Sequence, residues 1–215
     1  MLKAVIFDFD GVICESVDVK TEAFRKLFQD YPQHLKQIVD FHIMNGGMSR
    51  FEKFKVIYRD FLKKDLSEEK SKELGEKFTQ YCYSGVLQAP FVKGAEDFLN
   101  QYYEKLLLFI VSGTPHEEMI SLIKDKALNG FFKAVYGSLM SKYSVVIKIM
   151  GQYGLQKDEM VFVGDSMADY DGAKQAGIDF IGRVPRGYPN IFKNKVIEGT
   201  INDLSELEQV VKQRM

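Results

Sequence analysis

Tryptophan is absent from this sequence of 215 residues, and cysteine, histidine and proline are scarce at two, three and five copies. Two cysteines, Cys14 and Cys82, are too few for a disulfide framework, and neither a CxxC pair nor a Cys/His ligand spacing exists to hold zinc. Net charge is lacking too. The 29 Lys and Arg face 30 Asp and Glu for a balance of -1, which argues against a general binder of nucleic acid or anionic membrane. No apolar run approaches the roughly 18 residues needed to span a bilayer, and the opening MLKAVIFDFDG meets two acids before it reaches the length of a signal-peptide core. The expectation is a soluble, reduced, cytoplasmic protein without a targeting peptide or membrane partner; nothing in the sequence sets an oligomeric state. What is plentiful is apolar material, 46% of the chain, enough for a real interior in one large domain or in a core with a smaller companion.

That apolar material is organised in two ways. Short β-branched runs at 3–7, 106–111, 134–136, 160–163 and 178–181 are bounded by turn residues or acids and read as strands buried on both faces. Between them lie stretches of helical periodicity, one marked by Met119, Ile120, Ile123 and Leu128, another by Val145, Val146, Ile149 and Met150, which Gly154 can stop. Such alternation predicts an α/β fold, a parallel sheet with helices on both faces. From 15 to 87 the alternation breaks into consecutive amphipathic helices, with Ala23, Phe24, Leu27 and Phe28 on one and Phe51, Phe54, Ile57, Tyr58, Phe61 and Leu62 on another. Asn45-Gly46-Gly47 separates helices, and Ser49 with Glu52 can form a capping box. The predicted organisation is a core of 1–14 and 88–215 with an inserted helical domain at 15–87. An edge strand is expected at Val196 and Ile197, and a last helix packed through Leu204, Leu207, Val210 and Val211.

Acids mark the strand ends. The first strand runs into Asp8-Phe9-Asp10-Gly11, where an open α/β sheet presents its ligand site, and two carboxylates so placed repel each other unless a cation or proton joins them. Val161-Phe162-Val163-Gly164-Asp165 repeats the pattern, with Asp169 four residues on. If a helix begins there, Asp165 and Asp169 share the side of its first turn. An all-oxygen acid set without His or Cys suits Mg²⁺ better than zinc. Each acid also has a plainer role open to it, Asp8 and Asp10 in a polar turn, Asp165 as an N-cap, Asp169 as a solvated first-turn acid. Ser112-Gly113-Thr114-Pro115 follows the second strand. A Thr114–Glu117 capping box with Pro115 at the helix start is expected, in a segment able to cradle phosphate or simply to cap a helix. Lys142, after Ser141, opens the helix beyond the third strand, where a solvated lysine is the ordinary alternative.

In their order, Asp-x-Asp, Ser/Thr, Lys and Gly-Asp with a further Asp, these motifs resemble the haloacid dehalogenase superfamily, in its phosphoglycolate phosphatase and β-phosphoglucomutase-like branch. The resemblance covers 1–13 and about 89–181, with the helical segment matching the cap that many members insert after the first motif. It implies a Rossmann-like core and a Mg²⁺-dependent phosphatase acting on a small phosphorylated metabolite, of the sugar phosphate or phosphoglycolate type. Asp8 would be the nucleophile that becomes an aspartyl-phosphate, and Asp10 the acid and then the base. Asp8, the backbone carbonyl of Asp10 and Asp165 would hold Mg²⁺, and Asp169 would hold a metal-bound water or orient Lys142. Ser112 and Lys142, with Gly113 or Thr114 amides, would bind the phosphoryl oxygens.

Asp10 speaks against dehalogenation, whose leaving halide needs no proton. A phosphomutase of the β-phosphoglucomutase type is the alternative, weakened because Lys20 stands where that branch has a cap histidine. Asn45, Gly46, Gly47, Ser49 and Arg50 are the expected substrate-selecting residues of the cap, Arg50 pairing with a carboxylate or second phosphate, or else forming a helix–helix turn with a surface arginine. His34, His42 and His116 show no ligand spacing. Cys14 is expected to be a buried thiol, and Arg183, Arg186 and Tyr188 to lie in a solvated loop.

Overall fold

The computed structural model describes residues 1–214. Met215, the last residue of the predicted core segment, lies outside the described residues. Six strands form one parallel sheet: β1 (Ala4–Phe7), β2 (Leu107–Val111), β3 (Ala134–Tyr136), β4 (Met160–Gly164), β5 (Asp179–Arg183) and β6 (Gly199–Ile201), in the order β3-β2-β1-β4-β5-β6. The expected edge strand thus exists three residues later than Val196 and Ile197, which fall in the loop before it; Val196 is exposed. Alternate residues of the strands feed two cores. Val5, Phe7, Leu108, Ile110, Val161 and Val163 face one side, Ala4, Ile6, Phe109, Val111, Phe162 and Phe180 the other. Burial on both faces explains why these runs are apolar without a break.

Between β1 and β2 the chain makes no strand. It forms α1 (Val17–Leu27), α2 (Pro32–Met44), α3 (Arg50–Val56), a π-helical stretch over Ile57–Leu62 and α4 (Glu68–Gln88). Phe24, Phe28, Phe54 and Phe78 fill the centre of this segment, with Phe24 touching the rings of Phe28, Phe54 and Phe78. Ser49 is the N-cap of α3, but its hydroxyl makes no capping bond.

The remaining helices cover the sheet. On one side lie α5 (Ala95–Tyr102), α6 (His116–Asp125) and the final α9 (Leu207–Lys212); on the other lie α7 (Lys142–Tyr153), ended by left-handed Gly154 as expected, and α8 (Met167–Ala176). The Thr114–Glu117 box does not form. Pro115 is the N-cap of α6, and the Thr114 hydroxyl turns instead to Lys20 and Asp10. Asp165 is likewise not an N-cap, because Ser166 takes that place at α8 in a reciprocal capping box with Asp169.

Candidate active site

The sheet order reverses direction at β1, whose neighbours β2 and β4 lead outward to opposite edges. Loops diverge at such a switch point and leave a crevice beyond the carboxyl ends of the strands. Asp8, Ser112 and Asp165 each follow directly on β1, β2 and β4, and Lys142 begins α7 after β3. Pairing of Phe7 with both Ile110 and Val163 fixes these ends side by side. Four sequence motifs, up to 157 positions apart in residue number between Asp8 and Asp165, therefore meet in one place.

One oxygen each of Asp8, Asp165 and Asp169 lies within 4.8 Å of the others. Lys142 joins two of them, with its Nζ 2.8 Å from Asp8 and also donating to Asp169. Asp169 is fully buried and accepts on its other oxygen from the Ser166 N–H at 3.1 Å and hydroxyl at 2.5 Å. It is therefore committed to holding Lys142. Burial pushes Asp8 up to about 7, the nearby Lys142 opposing this while Asp169 and Asp10 add to it. Burial and then the charges of Asp8 and Asp169 raise Asp165 well above the usual carboxylate range. For Lys142 burial works against the charge, but Asp169 and Asp8 outweigh it and raise its pKa. One lysine cannot neutralise three crowded carboxylates, and their donor chemistry is hard oxygen throughout, so a divalent cation fits. Asp8 and Asp165 keep the most free lone pairs to hold it. Gly11, with φ of +73°, makes room, since a Cβ there would come within 2.0 Å of Asp165 Oδ2.

Asp10 points away from that cluster. Its carboxylate accepts from Lys20, from Ser16 at 2.6 Å and from Thr114 at 3.2 Å. Burial alone would raise Asp10, but the Lys20 charge and these bonds outweigh it and the net shift is downward. Ser112 is buried and its hydroxyl accepts from the Thr114 N–H at 3.1 Å, which shapes the loop around Gly113.

The helical segment closes over this crevice. Gly47, at φ +75°, lies where an added Cβ would be 2.5 Å from Ser166 Oγ and 3.4 Å from Lys142 Nζ, and Gly113 lies against the Gly47 carbonyl. Gly46 and Gly47 thus reach the site, together with Lys20 from α1. Arg50 lines the cavity but is no surface arginine. Its guanidinium is buried and grips Glu118 of α6 with both amino groups, at 2.9 and 2.7 Å, while one of them also reaches Thr79 at 2.7 Å. Asn45 turns back on α2, its amide donating to the Phe41 carbonyl, and neither it nor Ser49 lines the cavity. The cavity, of about 460 Å³, is lined by Asp8, Asp10, Lys20, Gly47, Lys53 and Asp165 among others.

Arg183 departs from its expected place, and Lys20 and Lys53 join the site without a motif to mark them. Arg183 is not in a solvated loop: it ends β5, is buried, and donates to the Gly11 carbonyl at 2.9 Å and to Glu15 at 2.6 and 3.0 Å, tying down the loop after β1. Arg186 and Tyr188 beyond it are exposed, as expected. Lys20 is an Asp10 partner, and Lys53, which no motif marks, is buried beside His42. Cys14 is a buried thiol that burial pushes up to about 12.

Known proteins resemble this chain over most of its length. A phosphorylated carbohydrates phosphatase from Thermotoga maritima is 23% identical over 185 residues, 84% of each chain, and a phosphoglycolate phosphatase from Photorhabdus laumondii is 26% identical over 189 residues, 84% of this chain and 80% of that one. The magnesium-bound structure of YfnB from Bacillus subtilis superposes with a TM-score of 0.71 at 21% identity, covering 98% of this chain and 99% of that one. The family model of haloacid dehalogenase-like hydrolases matches residues 5–183, which include Asp8, Asp10, Ser112, Lys142, Asp165 and the whole helical segment, so the chain belongs to that family.

Proposed function

We propose that the protein is a Mg²⁺-dependent phosphatase that hydrolyses a small organic phosphate monoester through an aspartyl-phosphate on Asp8. The observation that carries this reading is the arrangement of Asp8 at the end of β1: it is bridged by Lys142, beside Asp165 and two residues from a second acid, Asp10, that is held by partners of its own. The names of the Thermotoga and Photorhabdus relatives, both phosphatases, support it. Asp8 and Asp165, with the Asp10 carbonyl, would hold Mg²⁺. When bound, the ion lends positive charge that lets a dianionic phosphoryl group approach acids.

The chain's own residues do the rest. Lys142 and the Ser112–Thr114 loop receive the phosphoryl oxygens, and a carboxylate oxygen of Asp8 attacks phosphorus in line. As the ester P–O bond breaks, Asp10, which must enter the cycle protonated against the pull of Lys20, gives its proton to the departing alkoxide. Asp10, now a carboxylate, then takes a proton from the water that attacks phosphorus; the bond to Asp8 breaks, and inorganic phosphate leaves. Lys20 favours the carboxylate form of Asp10, the form that this second half requires. Residues 15–87 act as a cap over a core of 1–14 and 88–214, with Gly46 and Gly47 at its contact with the site. A cavity of about 460 Å³ suits a metabolite and not a macromolecule.

A phosphate-release screen over small esters with Mg²⁺ tests the reading. Steady release that chelation abolishes is expected. Interconversion of sugar phosphates with little phosphate release would favour a mutase in its place.

A further inference from the structure

Three cations of the helical segment line the cavity, and two have their charge answered from within the protein. Lys20 pairs with Asp10 and Arg50 with Glu118. Lys53, on α3, is the third. It is 3% exposed, and among the described residues no carboxylate forms an ion pair with it. Its Nζ donates to the His42 carbonyl and meets His42 Nδ1, both at 3.1 Å, above the face of Phe24. An ammonium has three N–H groups, so one is left for the cavity.

A buried, unpaired cation is costly, and an apolar side chain of similar length would fill the same space without that cost. His42 does not remove the charge problem. Burial, together with the charges of Lys53 and Lys20, drives its ring down to about 2, so it stays a neutral hydrogen-bonding partner. Position says what Lys53 faces. It lines the same cavity as Lys20 and Asp10, the pair on the side of the site where the alcohol part of an ester departs.

We propose that Lys53 reads the alcohol part of the substrate, its free N–H receiving a carboxylate, so that the favoured esters are small phosphorylated hydroxy acids. A single spare cation matches a monoanionic carboxylate better than a second phosphate dianion, which usually gathers several donors. This rests on the phosphatase reading for its placement of the phosphoryl group at Asp8. Lys53 itself holds substrate and takes no part in proton transfer.

Binding separates the two claims. Phosphonoacetate and ethylphosphonate are similar in size, cannot be hydrolysed at a P–O ester bond, and differ in one carboxylate. Calorimetric titration in Mg²⁺ at pH 6.5, where the Lys53 ammonium keeps its proton, is expected to show phosphonoacetate binding about tenfold or more tightly to the wild-type chain, and that preference lost in Lys53→Met. Equal affinities in the wild type, no binding of phosphonoacetate, or a preference that survives Lys53→Met would each overturn the assignment. If the preference is present and lost on substitution while no ester is hydrolysed, the assignment stands and the phosphatase reading falls.

Discussion

Lys53 should weaken the folded protein that it serves. Burial, with Lys20 nearby, holds its ammonium down to about 7 from an ordinary value of 10.5. Between those values the unfolded chain binds the proton and the folded chain does not, so stability falls as pH drops through that interval and levels off below 7. Lys53→Met should therefore stabilise by about 2–4 kcal/mol at pH 6.5, with little gain near pH 10. Urea unfolding at the two pH values checks this, and an equal gain at both would contradict it. Asp10 belongs to the same scale. Asp10→Asn keeps the side chain's shape and removes its acid and base, which should lower kcat by about 10²- to 10⁴-fold with far less change in substrate binding.

At the scale of elements, the turn between α2 and α3 and the pair between α3 and α6 carry the closed arrangement. Gly47→Ala places a Cβ against Ser166 and Lys142 at a positive φ, so kcat/KM should fall by about tenfold or more. Steady-state kinetics decide, and an unchanged value would show that the turn does not approach the site during turnover. Glu118→Gln should lower stability by about 2–3 kcal/mol, because the buried Arg50 loses its counter-charge while Thr79 still holds it. Chemical denaturation gives that number directly.

This is also the scale at which the sequence stops being legible. The acids at strand ends could be read because burial on both faces makes each strand an unbroken apolar run, and an acid at its end stands out. The helical segment was legible from its 3.6-residue periodicity. Contacts across the chain were not. Arg183 meets Glu15 over 168 positions, Lys20 meets Thr114 over 94 and Arg50 meets Glu118 over 68, and no local pattern encodes such pairs. The Thr114–Glu117 capping pattern misled because the hydroxyl it requires is claimed by Lys20 and Asp10. Lys53 sits in a helix among aromatic residues, where no motif marks it and only packing shows it turned inward.

For the whole molecule, three acids gathered at the centre of one sheet make an unliganded site a source of electrostatic strain that the rest of the fold must offset. A divalent cation bound there should raise thermal stability as well as switch on activity. At a hundredfold excess over its dissociation constant the gain is about 2.7 kcal/mol, and the melting temperature should climb with Mg²⁺ concentration and fall back on chelation. Everything in this account converges on Asp8 as the atom source for attack. The most direct measurement is phosphate release in Mg²⁺ by the wild type and by Asp8→Asn, on whichever small ester the wild type turns over fastest. Steady release by the wild type and a loss of at least about a thousandfold in the variant are expected. Release by Asp8→Asn at the wild-type rate would contradict it.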